Sequence, residues 1–213
     1  MESNTSTRNI SLAALTSTVL PSGALIASAL LAAAHIQCLE PPSYLPPSKL
    51  LDWYRAIYTA WVTVILLTPA LCLDAWRPSM PNGHNYWRLF WTCSYFAYLI
   101  HFYWAVFVFF EGDIGAVFRS PMVSTPRFNF LLTFWWSFDM LPLWFFRSNP
   151  RWVRLQRAAL HLVLLVAFFV GSVVEGQGLG RGLGMVMGAS VVCCFVWRLV
   201  ARAKERKSNL ATQ

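Results

Sequence analysis

The sequence carries little charge for its length. Of its 213 residues, 12% are charged and 57% are hydrophobic, whereas a soluble globular domain usually has about 25% charged residues. A soluble chain of this size would have too few polar side chains to coat its core. The deficit therefore argues against an ordinary soluble domain and favours a surface that faces lipid. The 11 Trp and 16 Phe fit this, because aromatic side chains are enriched at membrane interfaces.

Motifs of the common catalytic and metal-binding chemistries are also lacking. The five cysteines are odd in number and form no CxxC pair, so neither a disulfide framework nor a zinc site is predicted. The four histidines form no HxxxH or HExxH motif, and no GxSxG is present. Bis-histidine haem ligation needs two histidines at one depth, and no pair fits. We therefore predict no catalytic residue, no metal and no cofactor, and lean against an enzyme without excluding one.

Strand-like alternation and internal repeats are absent as well, which argues against a membrane barrel and against an inverted-repeat transporter. What the sequence does contain is a series of long apolar runs of roughly the ~20 residues that cross a ~30 Å hydrocarbon core. Backbone groups in lipid are satisfied within helices. We predict an all-α integral membrane bundle of about six transmembrane helices, forming a single domain over residues 1–213. The predicted spans are 10–36, 53–73, 87–110, 128–146, 158–174 and 183–200, followed by a basic tail at 201–213.

The first apolar run has a competing interpretation as a cleaved signal peptide. Small residues in ALLAAA near its end resemble a cleavage region. The run is, however, much longer than the 7–15 residues of a signal-peptide core. We therefore favour a retained helix.

Lysine and arginine are unevenly divided between the two sides of a six-span chain. Twelve of the 17 would lie on one side: Arg8, Arg77, Arg88, Arg147, Arg151, Arg154, Arg157, Arg198, Arg202, Lys204, Arg206 and Lys207. The other five are Lys49, Arg55, Arg119, Arg127 and Arg181. Because basic residues accumulate on the cytoplasmic side, both termini are predicted to be cytoplasmic, in the plasma or inner membrane. The net charge of +8 is thus explained without nucleic acid, and the expected partners are membrane lipids and, as candidates, other membrane proteins.

Two ionisable residues lie deep within predicted spans. His101 is near the middle of span 87–110 and Asp139 near the middle of span 128–146. Such residues are costly in a membrane and usually have a partner or a function. Helical rise places the two at nearly one height in an antiparallel pair. We expect them to meet near the centre of the bundle, either as a structural clasp between helices or as a functional site such as a proton relay.

Further polar and small residues accompany this pair. Tyr98 shares a helical face with His101, while Asn129 and Thr133 lead along the next span toward Asp139. These side chains are predicted either to line a small cavity or to form interhelical hydrogen bonds. In the last span, Gly184 and Gly188 form a GxxxG pattern, which is typical of close helix packing. Packing against the preceding span is favoured over dimerisation.

Residues 87–146 carry a resemblance. The segment HFYWAVFVFF is followed, after a loop, by the pattern N-x3-T-x-W-W-x2-D, formed by Asn129, Thr133, Trp135, Trp136 and Asp139. This arrangement resembles small uncharacterised bacterial multi-pass membrane proteins. The resemblance implies no activity, but it associates His101 with Asp139.

Three classes of function remain open. The first is a small accessory or assembly subunit that contacts other membrane proteins, and it is favoured because its rivals lack sequence support. The second is a proton-coupled transporter that uses His101 and Asp139. The third is a membrane-embedded enzyme acting on a lipid or quinone-like substrate.

Overall fold

In the computed structural model, the described residues are 10, 12–36, 39–76, 80, 82–146, 150–174 and 176–211. Seven helices make up most of this part of the chain. Their bounds are α1 Leu12–His35, α2 Leu50–Trp76, α3 Gly83–Phe102, α4 Ile114–Arg119, α5 Pro126–Phe145, α6 Arg151–Phe169 and α7 Gly178–Ala211. A 3₁₀ turn, Pro47–Lys49, precedes α2, and π-helical segments Tyr103–Phe109 and Val170–Val174 extend α3 and α6. Arg8, Arg77, Arg147 and Glu175 lie outside the described residues.

Within the described residues, five helical stretches are long and apolar enough to cross a membrane. They are Leu12–His35, Pro47–Ala75, Gly83–Phe109, Arg151–Val174 and Gly178–Lys204. The described residues contain no strand. The prediction of an all-α, multi-pass membrane bundle is therefore confirmed.

The predicted span 128–146 forms α5, which is not among these five. Its 20 residues extend about 30 Å at 1.5 Å per residue, so its length matches a hydrocarbon core. Asn129 and Asp139 lower its mean hydropathy. The polar residues of this helix face its neighbours, as described below.

The bundle is built around α2. In the apolar 18-residue core of its span, just over half of the residues are buried, 56%, whereas the corresponding share in the other four spans is 11–28%. α2 contacts α1, α3 and α7. Two of its tyrosines fix the preceding connection, because Tyr54 donates to the backbone carbonyl of Leu39 and Tyr58 to that of Ile36. The centre of the bundle is thus α2, and not the pair α3–α5 that the sequence suggested.

Large apolar side chains remain exposed along the long helices. Examples are Leu20, Phe134, Phe145, Leu155 and Trp197. A soluble protein rarely leaves such extensive apolar surfaces uncovered. Exposed apolar faces on helices of membrane-spanning length indicate contact with lipid.

Candidate functional site

Asp139 occupies the most deeply buried charged site of the described residues, with a relative exposure of 0%. Its Oδ2 accepts a hydrogen bond from Trp91 Nε1 over 2.9 Å. Nε of Arg157 lies 3.1 Å from Oδ1 and 3.3 Å from Oδ2. The Gln156 amide, oriented with its nitrogen toward the carboxylate, donates to Oδ1 over 3.2 Å and accepts from Trp135 Nε1. One carboxylate therefore ties together α3, α5 and α6.

Helix positions explain why Asp139 and Arg157 meet. Asp139 lies six residues before the end of α5, and Arg157 lies six residues after the start of α6. Each is therefore about 9 Å from the helix ends that the short α5–α6 connection joins. We call this side, where α2 and α5 end and α3 and α6 begin, the basic end of the bundle.

Arg157 is almost as buried as its partner, with 4% relative exposure. It contacts Asp139 through Nε, and its guanidinium carbon lies 5.2 Å from the ring centre of Trp87. Its Nη2 is buried and has no hydrogen-bond partner among the described residues. Removing one member of a buried ion pair leaves an uncompensated charge, which typically costs about 3–5 kcal/mol. The pair therefore acts as a strong constraint on how α5 and α6 are placed.

Three fully buried tryptophans enclose the ion pair. Trp87 and Trp91 stack with ring centres 6.4 Å apart, and Trp91 and Trp136 are 5.1 Å apart. These rings exclude solvent from the carboxylate and guanidinium. Electrostatic interactions are stronger in such a low-dielectric setting, and unmet polar groups are correspondingly costly.

A His–Asp contact lies beside this cluster. His161 is on the turn of α6 after Arg157, and its Nδ1 is 3.4 Å from Oδ2 of Asp74, near the end of α2. The imidazole ring lies edge-to-face against Trp91, with ring centres 4.4 Å apart. Its Nε2 is buried and has no hydrogen-bond partner in the described part of the chain. This contact links α2 to α6, which the Asp139 cluster does not.

His101 lies elsewhere and does not contact Asp139, which corrects the predicted pairing. Its Nδ1 donates to the backbone carbonyl of Ala56 on α2 over 2.8 Å. Trp91 is the α3 residue opposite Asp139, and His101 follows ten residues later, about 15 Å further along the helix. The prediction was wrong because it measured depth from the ends of the apolar runs. The helical stretch Gly83–Phe109 has 27 residues whereas α5 has 20, so the midpoints of the two do not share a height.

The remaining polar residues of the prediction do come together, away from Asp139. The hydroxyl oxygens of Tyr98 and Thr133 are 2.8 Å apart and share one hydrogen bond, and both lie within hydrogen-bond distance of the backbone carbonyl of Asn129. One turn closer to Asp139, the hydroxyls of Tyr95 and Ser137 are 2.7 Å apart. These contacts form a hydrogen-bonded seam between α3 and α5. Asn129 enters it through its backbone carbonyl.

Gly184 and Gly188 lie against α6 and its π-helical extension. A Cβ added at Gly184 would come within 2.6 Å of Ser172 Cβ, and one added at Gly188 within 2.7 Å of the Phe169 ring. Arg181 donates to the backbone carbonyl of Val173 in the same contact. The two glycines therefore sit where α7 and the preceding span approach most closely.

Arg157, His161 and Asp74 are the residues that sequence reasoning missed. Arg157 and Asp74 each lie one residue outside a predicted span, 158–174 and 53–73 respectively. One signal was present, because Arg157 and His161 are four apart, as are Trp87 and Trp91. Residues at that spacing share a helical face. A basic face of one helix and an indole-rich face of another could therefore have been recognised as candidates for contact.

No metal centre is formed in the part of the chain that the structure describes: no three His, Cys, Asp or Glu residues are grouped so that they could hold an ion. The arrangement can join helices and can hold charge in a dry environment. The fold and these contacts define a multi-pass helical membrane protein. Comparison of the chain with protein-family models, with curated proteins and with solved structures gave no match, so a more particular role has to be argued from the residues themselves.

Proposed function

We propose that this chain is a small accessory or assembly subunit of the cytoplasmic membrane, with both termini in the cytoplasm. The observation that carries the proposal is the way Asp139 is engaged. Its carboxylate accepts from an arginine, an indole and an amide of the same chain. Because these donors lie on α3 and α6, the carboxylate fixes the positions of both helices relative to α5. The clasp between helices is thus Asp139–Arg157–Trp91, in place of a His101–Asp139 clasp.

The outer surface supports the same proposal. α5 presents an apolar face away from the clasp, on which Leu131, Phe134, Phe138, Leu141 and Phe145 are exposed at spacings of three and four. A rigid bundle with such faces suits contact with lipid and with helices of other membrane proteins. The uneven distribution of basic residues supports the cytoplasmic placement of the termini.

Native electrophoresis of membranes solubilised in a mild detergent tests the subunit role. We expect the tagged chain to migrate with a second membrane polypeptide at a fixed ratio, and to lose that association when Asp139 is replaced by Ala. The matched control is Asp113→Ala, which removes an exposed acid outside the spans. The proposal would be contradicted if the wild-type chain migrated as a monomer or as a homo-oligomer.

A proton-coupled carrier is the second candidate, and one observation favours it. The His161–Asp74 contact joins a buried imidazole to a carboxylate whose side chain is 29% exposed. Proton flux into liposomes that contain only this protein, abolished by His161→Phe while the fold is retained, would establish the carrier over the subunit. A membrane-embedded enzyme on a lipid or quinone-like substrate remains the third class, without a contact of its own in its favour.

A further inference from the structure

The first two turns of α6 carry three arginines at intervals of three residues. Arg151 and Arg154 are exposed, whereas Arg157 is buried. Residues three apart are rotated by about −60° around a helix that has 3.6 residues per turn. The three arginines, which we call the arginine ladder, therefore wind from the outer face of α6 into the bundle over about 9 Å.

No acid in the described part of the chain neutralises the outer part of this ladder. Arg151 and Arg154 form no ion pair with any acid among the described residues. Arg157 meets Asp139 through Nε only, and its buried Nη2 has no hydrogen-bond partner there. The ladder thus has a surplus of donors and positive charge, and it lacks acceptors.

The start of α6 adds further donors at the same level. Its N-cap residue is Pro150, whose side chain makes no capping hydrogen bond. The first backbone N–H groups of a helix have no intrahelical acceptor and carry the positive end of the helix dipole. Together with the arginines, they form a site suited to an anion with several oxygens.

The side chains beside the ladder indicate that the anion would be the headgroup of a lipid. Trp152 and Leu155, which alternate with the arginines, are 49% and 74% exposed. Exposed tryptophan at the end of a span is typical of the headgroup level of a bilayer. Positive charge beside exposed apolar side chains matches a molecule that has an anionic headgroup and acyl chains.

From these contacts we propose that the arginine ladder binds the phosphate group of an anionic phospholipid in the leaflet at the basic end. Arg151, Arg154 and the first-turn N–H groups donate to the phosphate oxygens, while the buried Arg157 joins the same stretch of α6 to Asp139. The acyl chains lie along Trp152 and Leu155. A lipid bound at this site would hold the start of α6, and with it the Asp139–Arg157–Trp91 contacts, at the level of one leaflet.

The test uses the full-length protein in vesicles of phosphatidylcholine, with or without phosphatidylglycerol. Native mass spectrometry after release from these vesicles measures the bound lipid, and the unfolding temperature in detergent is measured with either lipid added. The variants are R151Q/R154Q and, as a matched control, R202Q/K204Q, which also removes two exposed positive charges near the same proposed side. The single variant R154Q serves if the first double variant folds poorly.

We expect phosphatidylglycerol to remain bound to the wild type and to R202Q/K204Q, and to raise their unfolding temperatures more than phosphatidylcholine does. Affinity should fall roughly tenfold or more in R151Q/R154Q, because each basic residue near an anionic lipid surface contributes substantially to binding. Equal binding of the two lipids, or equal loss in both double variants, would overturn the proposal. The proposal would also be overturned if inorganic phosphate, or an acidic peptide, stabilised the protein and the anionic lipid did not.

Discussion

The two halves of the bundle handle buried polar groups in different ways. At the basic end, buried ionisable side chains form pairs, Asp139 with Arg157 and His161 with Asp74, and Arg88 donates to the backbone carbonyl of Leu143. In the opposite half, polar side chains meet backbone carbonyls, as with His101 and Ala56 or Tyr98 and Asn129. A carbonyl that loses such a donor is still engaged by its own helix, whereas a buried ion that loses its partner keeps an unscreened charge. Removing one partner of a buried polar contact should therefore lower stability much more at the basic end than in the opposite half.

The largest effect is expected from breaking the basic-end pair. Arg157→Leu should lower the free energy of unfolding by about 3–5 kcal/mol, because Asp139 is then buried without a counter-ion. Reversible unfolding of the purified protein in mixed micelles measures this change. Arg202→Leu, at an exposed arginine of α7, should stay within about 0.5 kcal/mol. The double variant Asp139→Leu/Arg157→Leu should regain much of the stability, and a loss as large as in Arg157→Leu would show that the pair is not the source.

A smaller effect should arise where α7 packs closely against the π-helical extension of α6. Gly184→Ala places a Cβ within 2.6 Å of Ser172 Cβ, and overpacking of this kind costs about 1–3 kcal/mol. Gly182→Ala is the matched control, since nothing lies within 4 Å of its added Cβ. The same unfolding assay compares them. If both variants were equally stable, α7 would have to be less closely packed against α6 than the structure places it.

In the opposite half, His101→Phe should cost about 0.6–2 kcal/mol, the usual contribution of one interhelical hydrogen bond in lipid. It should also act independently of Asp139, because the two sites are about 15 Å apart along α3. A double-mutant cycle of His101→Phe and Asp139→Asn measures the coupling energy. We expect less than about 0.5 kcal/mol. A coupling above about 1 kcal/mol would mean that the two residues interact after all.

The smallest effect is expected at the surface, outside the spans. The hydrogen bond and positive charge of Lys49 hold the pKa of Glu111 below its ordinary value. A carboxyl group whose folded-state pKa is lowered stabilises the fold above its unfolded pKa, and this contribution is lost as pH falls through the lowered pKa. Titration of the Glu111 carboxyl carbon by NMR should return the ordinary pKa in Lys49→Met. An unchanged titration curve would mean that the pair does not persist in solution.

Much of the fold could be predicted from the sequence because lipid imposes simple rules. Length and hydropathy identified the long helices. The candidate site was predicted less well. Asp139 was recognised as a buried acid, but its partner was sought in a histidine near the middle of the adjacent span. Arg157 was overlooked because an arginine near a span end ordinarily reaches the interface, and only its helical phase turns it inward.

The difference between what was foreseen and what was not has a physical origin. The sequence by itself determined that this chain is a multi-pass helical protein, because the cost of exposing polar backbone in lipid depends on composition along each run. It also determined that Asp139 needs a partner, because an unpaired carboxylate is costly in that setting. The tertiary structure alone decided which partner it takes. Register and rotation between helices depend on packing contacts such as those of Trp91 and Gly184, and a shift of one helical turn exchanges the residues that meet.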